Sequence, residues 1–335
     1  MPLASSDVPL CEAYDLAMLD LDGVVYRGDE AVDGAVQAIE QARDAGMGMA
    51  FLTNNASRPA HRVAERLRAF GVQVTDDEVV TAGAAIARVV ADSVPAGSAV
   101  LVVGGPGIRE PLQSLGLTIV GSADDSPVAV VQGFHPDVGW RALAEAAYAI
   151  QNGVPWFASN ADQTLPTARG IAPGNGSLIE VVRRATGATP VVAGKPERGL
   201  FDETFERTQP QRPLMVGDRL DTDIDGALNF GIDALLVLTG ISTVDDTLAL
   251  PAHRRPHLIA PDLAGLLQPH PPVHIDGDFA DCAGVTVAVK DDVIVRTSEE
   301  SADPLALVRA VVALGWAVAD ATARVPRVGG ITLGH

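Results

Sequence analysis

Asp20-Leu21-Asp22-Gly23 places two carboxylates one residue apart at the end of an apolar run, Leu16 to Leu19. Once the chain bends at Gly23, a residue free to adopt left-handed angles, both acids can face one cavity. Such a pair divides a hard displacement in two. One carboxylate attacks and forms an acyl-phosphate or glycosyl ester; the other protonates the leaving oxygen and later deprotonates water. Alone, Asp-x-Asp is also the composition of an ordinary acidic turn. A third acid, Asp218, follows the run Pro213 to Val216 within Gly217-Asp218-Arg219-Leu220-Asp221-Thr222-Asp223. Carboxylates brought together need a counter-charge to stay ionised, and hard oxygen donors that retain waters suit Mg²⁺. The ion would also screen the approach of an anionic substrate. Asp221 and Asp223 are equally placed to cap the helix running to Phe230.

Two further clusters offer binding groups for an anion. Lys195 is a single cation between Gly194 and Pro196, after the run Pro190 to Ala193. Thr53-Asn54-Asn55 follows Met47 to Leu52 and offers a hydroxyl, amides and backbone N–H groups ahead of a helix. Singly, a loop lysine is a solvated charge and Thr-Asn-Asn is a turn. Together with the acids they describe a receptor for a tetrahedral anion.

All four clusters are expected at the carboxyl ends of strands, because short Val/Ala/Leu-rich runs alternate with segments of helical period across most of the chain. That alternation is the writing of a parallel α/β sheet. In an open parallel sheet such ends gather at one edge, where ligands of doubly wound folds bind. The helix after Thr53-Asn54-Asn55 is expected to take Ser57 as N-cap with Pro59 just inside, and to stop at Gly71. About 140 residues separate Asn54 from Lys195, far more than one crossover needs. They are expected to hold their own small α/β domain, with strands near Ala99–Val103, Leu117–Val120, Val128–Gln132 and Val154–Ala158. Its expected helices are Ile108–Leu115, Asp137–Ile150 and Ser177–Ala185.

The expected fold is thus α/β: a doubly wound parallel-sheet, Rossmann-like core with an inserted α/β cap domain and a small α+β C-terminal appendage. The expected divisions are 12–81 with 190–267 for the core, 82–189 for the cap, 268–273 for a linker and 274–335 for the appendage. The linker rests on Gln268-Pro269-His270-Pro271-Pro272, which continues neither a helix nor a central strand. The appendage reads as a hairpin, Val285–Val289 and Ile294–Thr297 about a turn at Asp291-Asp292, plus one helix from about Asp303 to Leu314. Three short elements make a weak core on their own.

Composition narrows the partners. The 335 residues are 47 % hydrophobic and 20 % charged, enough apolar surface to fold. With 24 basic against 43 acidic side chains the net charge is -19, so nucleic acid and anionic membranes are repelled. The opening MPLASSDVPLCEAYD lacks the basic-then-apolar pattern of a secretory signal. The apolar run Leu305–Ala319 is interrupted by Arg309 and falls short of the roughly 20 residues a bilayer needs. Two cysteines, Cys11 and Cys282, build no disulfide framework and suit a reducing, cytoplasmic setting.

In order and spacing, Asp20-Leu21-Asp22-Gly23-Val24, Thr53-Asn54-Asn55, Lys195, and Gly217-Asp218 with Asp223 resemble the four motifs of the haloacid dehalogenase-like hydrolases. The similarity is to the class II branch with a large cap inserted after the second motif, NagD-like and 4-nitrophenylphosphatase-like, and covers about residues 12–267. The resemblance implies that Asp20 is the nucleophile and Asp22 the general acid, then base. It implies Mg²⁺ held by Asp20, the backbone carbonyl of Asp22 and Asp218, with Asp223 in support. Thr53, Asn54 and Lys195 would bind the transferring phosphoryl group, with Asn55 close by. Aspartate at position 20 favours phosphoryl over dehalogenation chemistry, and aspartate at position 22 favours a phosphatase over an ATPase.

The cap is expected to close over the site, exclude water and select the substrate. Within it, Ser159-Asn160-Ala161-Asp162 resembles the family's Asn-Pro-Asp segment with alanine for proline, and His135 stands where relatives often carry an acid. A covering cap favours small phosphorylated metabolites: glycerol 3-phosphate first, then phosphoglycolate, nucleotides, pyridoxal phosphate and sugar phosphates. The cap's few aromatics, Phe134, Trp140, Tyr148, Trp156 and Phe157, give little sign of a stacking slot and tilt the choice to an aliphatic polyol. The resemblance also admits assembly of copies through the cap. A nucleotide site at Gly104-Gly105-Pro106-Gly107 fails on spacing and on the missing N–H of Pro106. A phosphotransferase with the same Asp20 chemistry and a non-enzymatic binding protein are the remaining rivals.

Overall fold

The runs Leu16–Asp20 and Pro213–Gly217 are buried almost throughout, as strands covered on both faces must be. In the computed structural model, which describes residues 2–167, 169–298 and 303–331, they pair in parallel with Leu19 beside Val216. Two more parallel strands continue the sheet, giving the order Leu258–Ala260, Asp233–Val237, Pro213–Gly217, Leu16–Asp20. The chain forms two compact units. This sheet belongs to the first, made of the chain up to Met49 and from Pro210 onward; the second is Ala50–Gln209. The expected cap limits of 82 and 189 are not where packing draws this line. The helices Ala82–Ser93 and Gly199–Thr208 lie against each other inside the second unit.

In that second unit a five-stranded parallel sheet runs in the order Val191–Val192, Trp156–Ala158, Ala129–Gln132, Ala99–Val103, Thr118–Val120. The helices Trp140–Gln151 and Asn175–Thr186 cover one face, packing Ala146, Ile150, Ile179 and Val182 onto Val130 and Trp156. A hairpin, Thr164–Thr167 with Gly170–Pro173, was not expected. One expectation is overturned: the strand before Lys195 is not in the core sheet. Val191–Val192 pairs with Phe157–Ala158, and Ala193 and Gly194 extend the ladder by donating to the carbonyls of Ala158 and Ser159. Ser57 is also not the expected N-cap. The helix Ala60–Ala69 starts after Pro59 without a side-chain cap.

The appendage is larger than a hairpin and a helix. Val273–Asp276, Phe279–Cys282, Val285–Lys290 and Val293–Arg296 form an antiparallel meander, joined in parallel by Arg327–Val328. Residues 299–302 and 332–335 of this segment lie outside the described residues. The helix Pro304–Thr322 covers the sheet, capped by Asp303 and buried from Leu305 to Trp316. It continues through Gly315, where the sequence suggested a stop. A Cβ there would stand 2.4 Å from Leu248 Cδ2, so the glycine serves close packing. The helix has the length and hydropathy to cross a membrane, but 67 % of its apolar window is buried in the fold.

The expected linker is likewise built in. His270 and Ser6 exchange backbone hydrogen bonds of 2.9 and 2.8 Å, and Val273 already belongs to a strand. Arg309, fully buried, donates to the carbonyls of Pro271 and Ala4 and lies 3.2 Å from His270 Nδ1. His270 Nε2 is 2.9 Å from Gly265 O, so the ring donates there and accepts from Arg309, which requires it neutral. Burial first, and the Arg309 charge in addition, depress its pKa from 6.5 to about 4, while the hydrogen bond to the Gly265 carbonyl and, less, Asp303 oppose the shift. A depressed histidine contributes stability that is present above the unfolded pKa and lost as pH falls through the folded one. Between pH 6.5 and about 4 His270 should therefore remove on the order of 3 kcal/mol. Denaturant unfolding across that range should show a steeper decline for the wild type than for His270→Asn; equal slopes would contradict this.

Candidate active site

Three carboxylates meet in the first unit. One oxygen from each of Asp20, Asp218 and Asp223 lies within 4.8 Å of the others, with Asp218 and Asp223 buried and Asp20 half-buried. Adjacent strand ends supply Asp20 and Asp218, and a turn of π-helix, Leu220–Ile224, returns Asp223 towards them. Asp223 Oδ2 accepts from Arg219 N at 3.1 Å. Asp221 is spent elsewhere: the Arg219 guanidinium binds it through two oxygens and holds its carboxyl below the usual range. Asp22 is exposed beyond the strand, on a bend where Gly23 N donates to Tyr26 O at 2.8 Å.

Glycine makes this crowding feasible. Gly23 has φ +91°, and a Cβ there would sit 2.5 Å from Asp218 Oδ2; one on Gly217 would sit 2.2 Å from Asp223 Cβ. A segment absent from the sequence reading completes the setting. After the strand Asp233–Val237, Thr239 Oγ1 donates to Gly23 O at 2.6 Å. Ile241 N donates to Asp218 Oδ2 at 2.7 Å, and Ser242 N to Asp218 O at 3.1 Å. Gly240 leaves Asp218 room, since a Cβ would come within 1.9 Å of its carboxylate. The available signal was the one used for the other clusters, a polar group after an apolar run, here Ala234–Leu238 followed by Thr239-Gly240.

The second unit holds the predicted anion-binding residues. Thr53, buried, ends its strand and accepts from Asn55 N at 3.1 Å through Oγ1. Asn54 Nδ2 donates to Lys195 O at 2.9 Å and to both carboxylate oxygens of Asp162 at 3.2 and 3.3 Å. The Asn54 carboxamide therefore ties the Lys195 loop and the Asp162 loop together. Asn160 Nδ2 closes the set on Asn54 O at 2.7 Å, and Asn175 Nδ2 holds Asn160 O at 2.7 Å. Asn55 is exposed and its Oδ1 accepts from Ser57 N and Oγ, which shapes the loop. Lys195 is 2 % exposed, a burial that a lysine tolerates only in a polar setting. His135 packs its ring on Gly105 at the start of the helix Pro106–Ser114 and sits 3.5 Å from Asp137.

Three clustered acids, two of them buried, fit a hard divalent cation: oxygen donors are the right type, and the ion relieves their repulsion. Asp22 lies two residues from Asp20 of that centre, so the pair offers two carboxylates of the type that a covalent displacement uses as nucleophile and proton carrier.

The family described as haloacid dehalogenase-like hydrolase matches residues 17–118, and a second, HAD-hydrolase-like, matches 192–266. A D-glycerol 3-phosphate phosphatase of Mycobacterium tuberculosis is 41 % identical over 315 residues, 92 % of this chain and 87 % of that protein. The crystal structure of a glycerol phosphate phosphatase from Mycobacterium tuberculosis in complex with magnesium matches with TM-score 0.84 and 38 % identity, over 97 % of this chain and 95 % of the other. A p-nitrophenyl phosphatase from Archaeoglobus fulgidus matches with TM-score 0.70 and 28 % identity, over 76 % of this chain and 98 % of its own. With motifs, acidic centre and these likenesses in agreement, the chain belongs to the haloacid dehalogenase-like hydrolases.

Proposed function

We propose that this protein is a Mg²⁺-dependent phosphatase that hydrolyses small phosphomonoesters through an aspartyl-phosphate, with glycerol 3-phosphate as its substrate. The reaction class is carried by the three acids gathered within 4.8 Å at the strand ends. The substrate is supported by 41 % identity along most of the chain to a D-glycerol 3-phosphate phosphatase. It is also supported by the aromatics: Trp156 and Phe157 are buried in the cap core, while Trp140 and Tyr148 face solvent on one helix.

In this reading the Asp20 carboxylate attacks phosphorus and the P–O bond to the alcohol breaks. Asp22 gives its proton to the departing oxygen, then takes one from the water that attacks the aspartyl-phosphate; phosphate leaves and Asp20 is restored. Thr53, Asn54 and Lys195 bind the phosphoryl oxygens, with Asn55 shaping their loop. Because the Asn54 carboxamide has other partners, its backbone N–H is the group assigned to the anion. Asp20, Asp218 and the Asp22 carbonyl would hold Mg²⁺ with Asp223 in support, and the ion when bound supplies neutralising charge.

The same reading sets the enzyme in the cytoplasm, in glycerophospholipid metabolism, away from nucleic acid and membranes. Two unpaired buried cysteines and the acidic net charge support that setting. Exposed Trp140 and Tyr148 support association of copies through the cap. The test is phosphate release over a panel of glycerol 3-phosphate, phosphoglycolate, nucleoside monophosphates, pyridoxal phosphate and sugar phosphates, with Mg²⁺ and with chelator. Glycerol 3-phosphate should give the highest kcat/KM, and chelator should abolish release from every compound. A nucleotide or sugar phosphate turned over faster would displace the substrate, and transfer to an alcohol exceeding release would make the enzyme a phosphotransferase.

A further inference from the structure

We infer that the C-terminal appendage sets the metal affinity of the acidic centre, with Trp316 as a positioning residue acting through the helix Val244–Leu248 on Asp218. The inference rests on the Mg²⁺ reading above and concerns groups that lie outside the recognised motifs.

The argument starts at Asp218. Two of its hydrogen bonds come from consecutive backbone N–H groups, Ile241 and Ser242, and Ser242 Oγ accepts from Leu220 N at 3.2 Å. These donors stand immediately before the helix Val244–Leu248. Thr243 caps that helix: its Oγ1 accepts from Asp246 N at 3.2 Å, and its N–H donates to Asp246 Oδ2 at 2.9 Å. Loop and helix therefore move as one piece. A five-residue helix has no stability of its own, since nucleation is costly and isolated helices of such length do not persist in water. What packs on it decides where it sits.

The appendage is packed on it. Trp316, 2 % exposed, donates Nε1 to Thr247 O at 2.9 Å. Gly315 admits Leu248 so closely that a Cβ would meet its Cδ2 at 2.4 Å. Arg255, 3 % exposed, stacks 4.9 Å from the Trp316 ring, binds Asp320 through two hydrogen bonds of 2.7 Å and donates to Leu250 O at 3.3 Å. The C-terminal helix, with Arg255 held against it, thus grips the far end, Thr247 to Leu250, of the segment whose near end aims two donors at Asp218. Loosening that grip frees Asp218 to swing, and a multidentate cation site loses affinity when one carboxylate is no longer held.

The test is calorimetric titration of the full chain with Mg²⁺ alone, which needs no turnover. Trp316→Phe keeps an aromatic ring beside Arg255 but removes the N–H donor together with part of the buried ring; Gly315→Ala drives Leu248 away. Each should raise the Mg²⁺ dissociation constant about threefold to tenfold. In phosphate release, each should restore its kcat at saturating Mg²⁺ with an unchanged KM for the phosphomonoester. Thr286→Val, which removes a 2.7 Å bond to Thr297 on the hairpin, loosens the appendage without touching the Val244–Leu248 helix and should bind Mg²⁺ as wild type does. A lower melting temperature in Trp316→Phe and Gly315→Ala with wild-type Mg²⁺ affinity overturns the coupling and leaves a structural role. Equal loss of affinity in Thr286→Val overturns it too. A wild-type chain that binds no Mg²⁺ overturns the metal reading itself, which separates the two failures.

Discussion

Asp20→Asn should abolish phosphate release, by about 10⁴-fold or more, as expected when a covalent nucleophile is removed. The carboxamide has the same shape but no charge with which to attack phosphorus. Folding should survive, because the strand is held by Leu16, Ala17, Met18 and Leu19, all 5 % exposed or less, and by its register against Pro213–Val216. Phosphate release and a thermal melt on the same preparation check both halves. Retained turnover in a folded variant would remove Asp20 from the mechanism.

Asp218→Asn has an effect of similar size with a reversal of sign between two conditions. With metal present, the variant should lose activity and lose more than about 100-fold in Mg²⁺ affinity, beyond what outer groups contribute. With chelator, it should be more stable than the wild type, because one of three crowded acids, a fully buried one, no longer carries charge. The stabilisation that the wild type gains on adding Mg²⁺ should shrink accordingly. Melting curves of both proteins with Mg²⁺ and with chelator test this. A variant destabilised under chelator would mean that Asp218 is held by its hydrogen bonds more strongly than it is repelled by its neighbours.

The acidic centre was legible because its residues announce themselves locally. Asp20 and Asp218 each end an apolar run, and a strand buried on both faces can be read without knowing its partner. Lys195 shows where this stops. Its polar cluster was correctly seen after an apolar run, but a two-residue strand carries no information about which sheet it joins, and Val191–Val192 went to the edge beside Phe157–Ala158. The loop around Ile241 and Ser242 escaped notice for another reason: its contribution to Asp218 is made by backbone N–H groups, which every residue but proline has. In the appendage the turn at Asp291-Asp292 was visible, and both residues take positive φ, 51° and 61°, the pairing of a two-residue hairpin turn. The strands Val273–Asp276 and Phe279–Cys282 mix polar and apolar residues and were invisible until Val285–Lys290 was there to pair with them. A glycine after Leu314 reads locally as a helix end, but the helix runs on to Thr322, and Gly315 instead lets it touch Leu248 of the neighbouring helix.

The most direct test of the account is to catch the covalent enzyme. Acid quenching during turnover of ³²P-labelled glycerol 3-phosphate with Mg²⁺, followed by peptide mapping, should find alkali-labile phosphate on the peptide that contains Asp20, and none in Asp20→Asn. Phosphate release without any label on the protein, or label on a different residue, would contradict it.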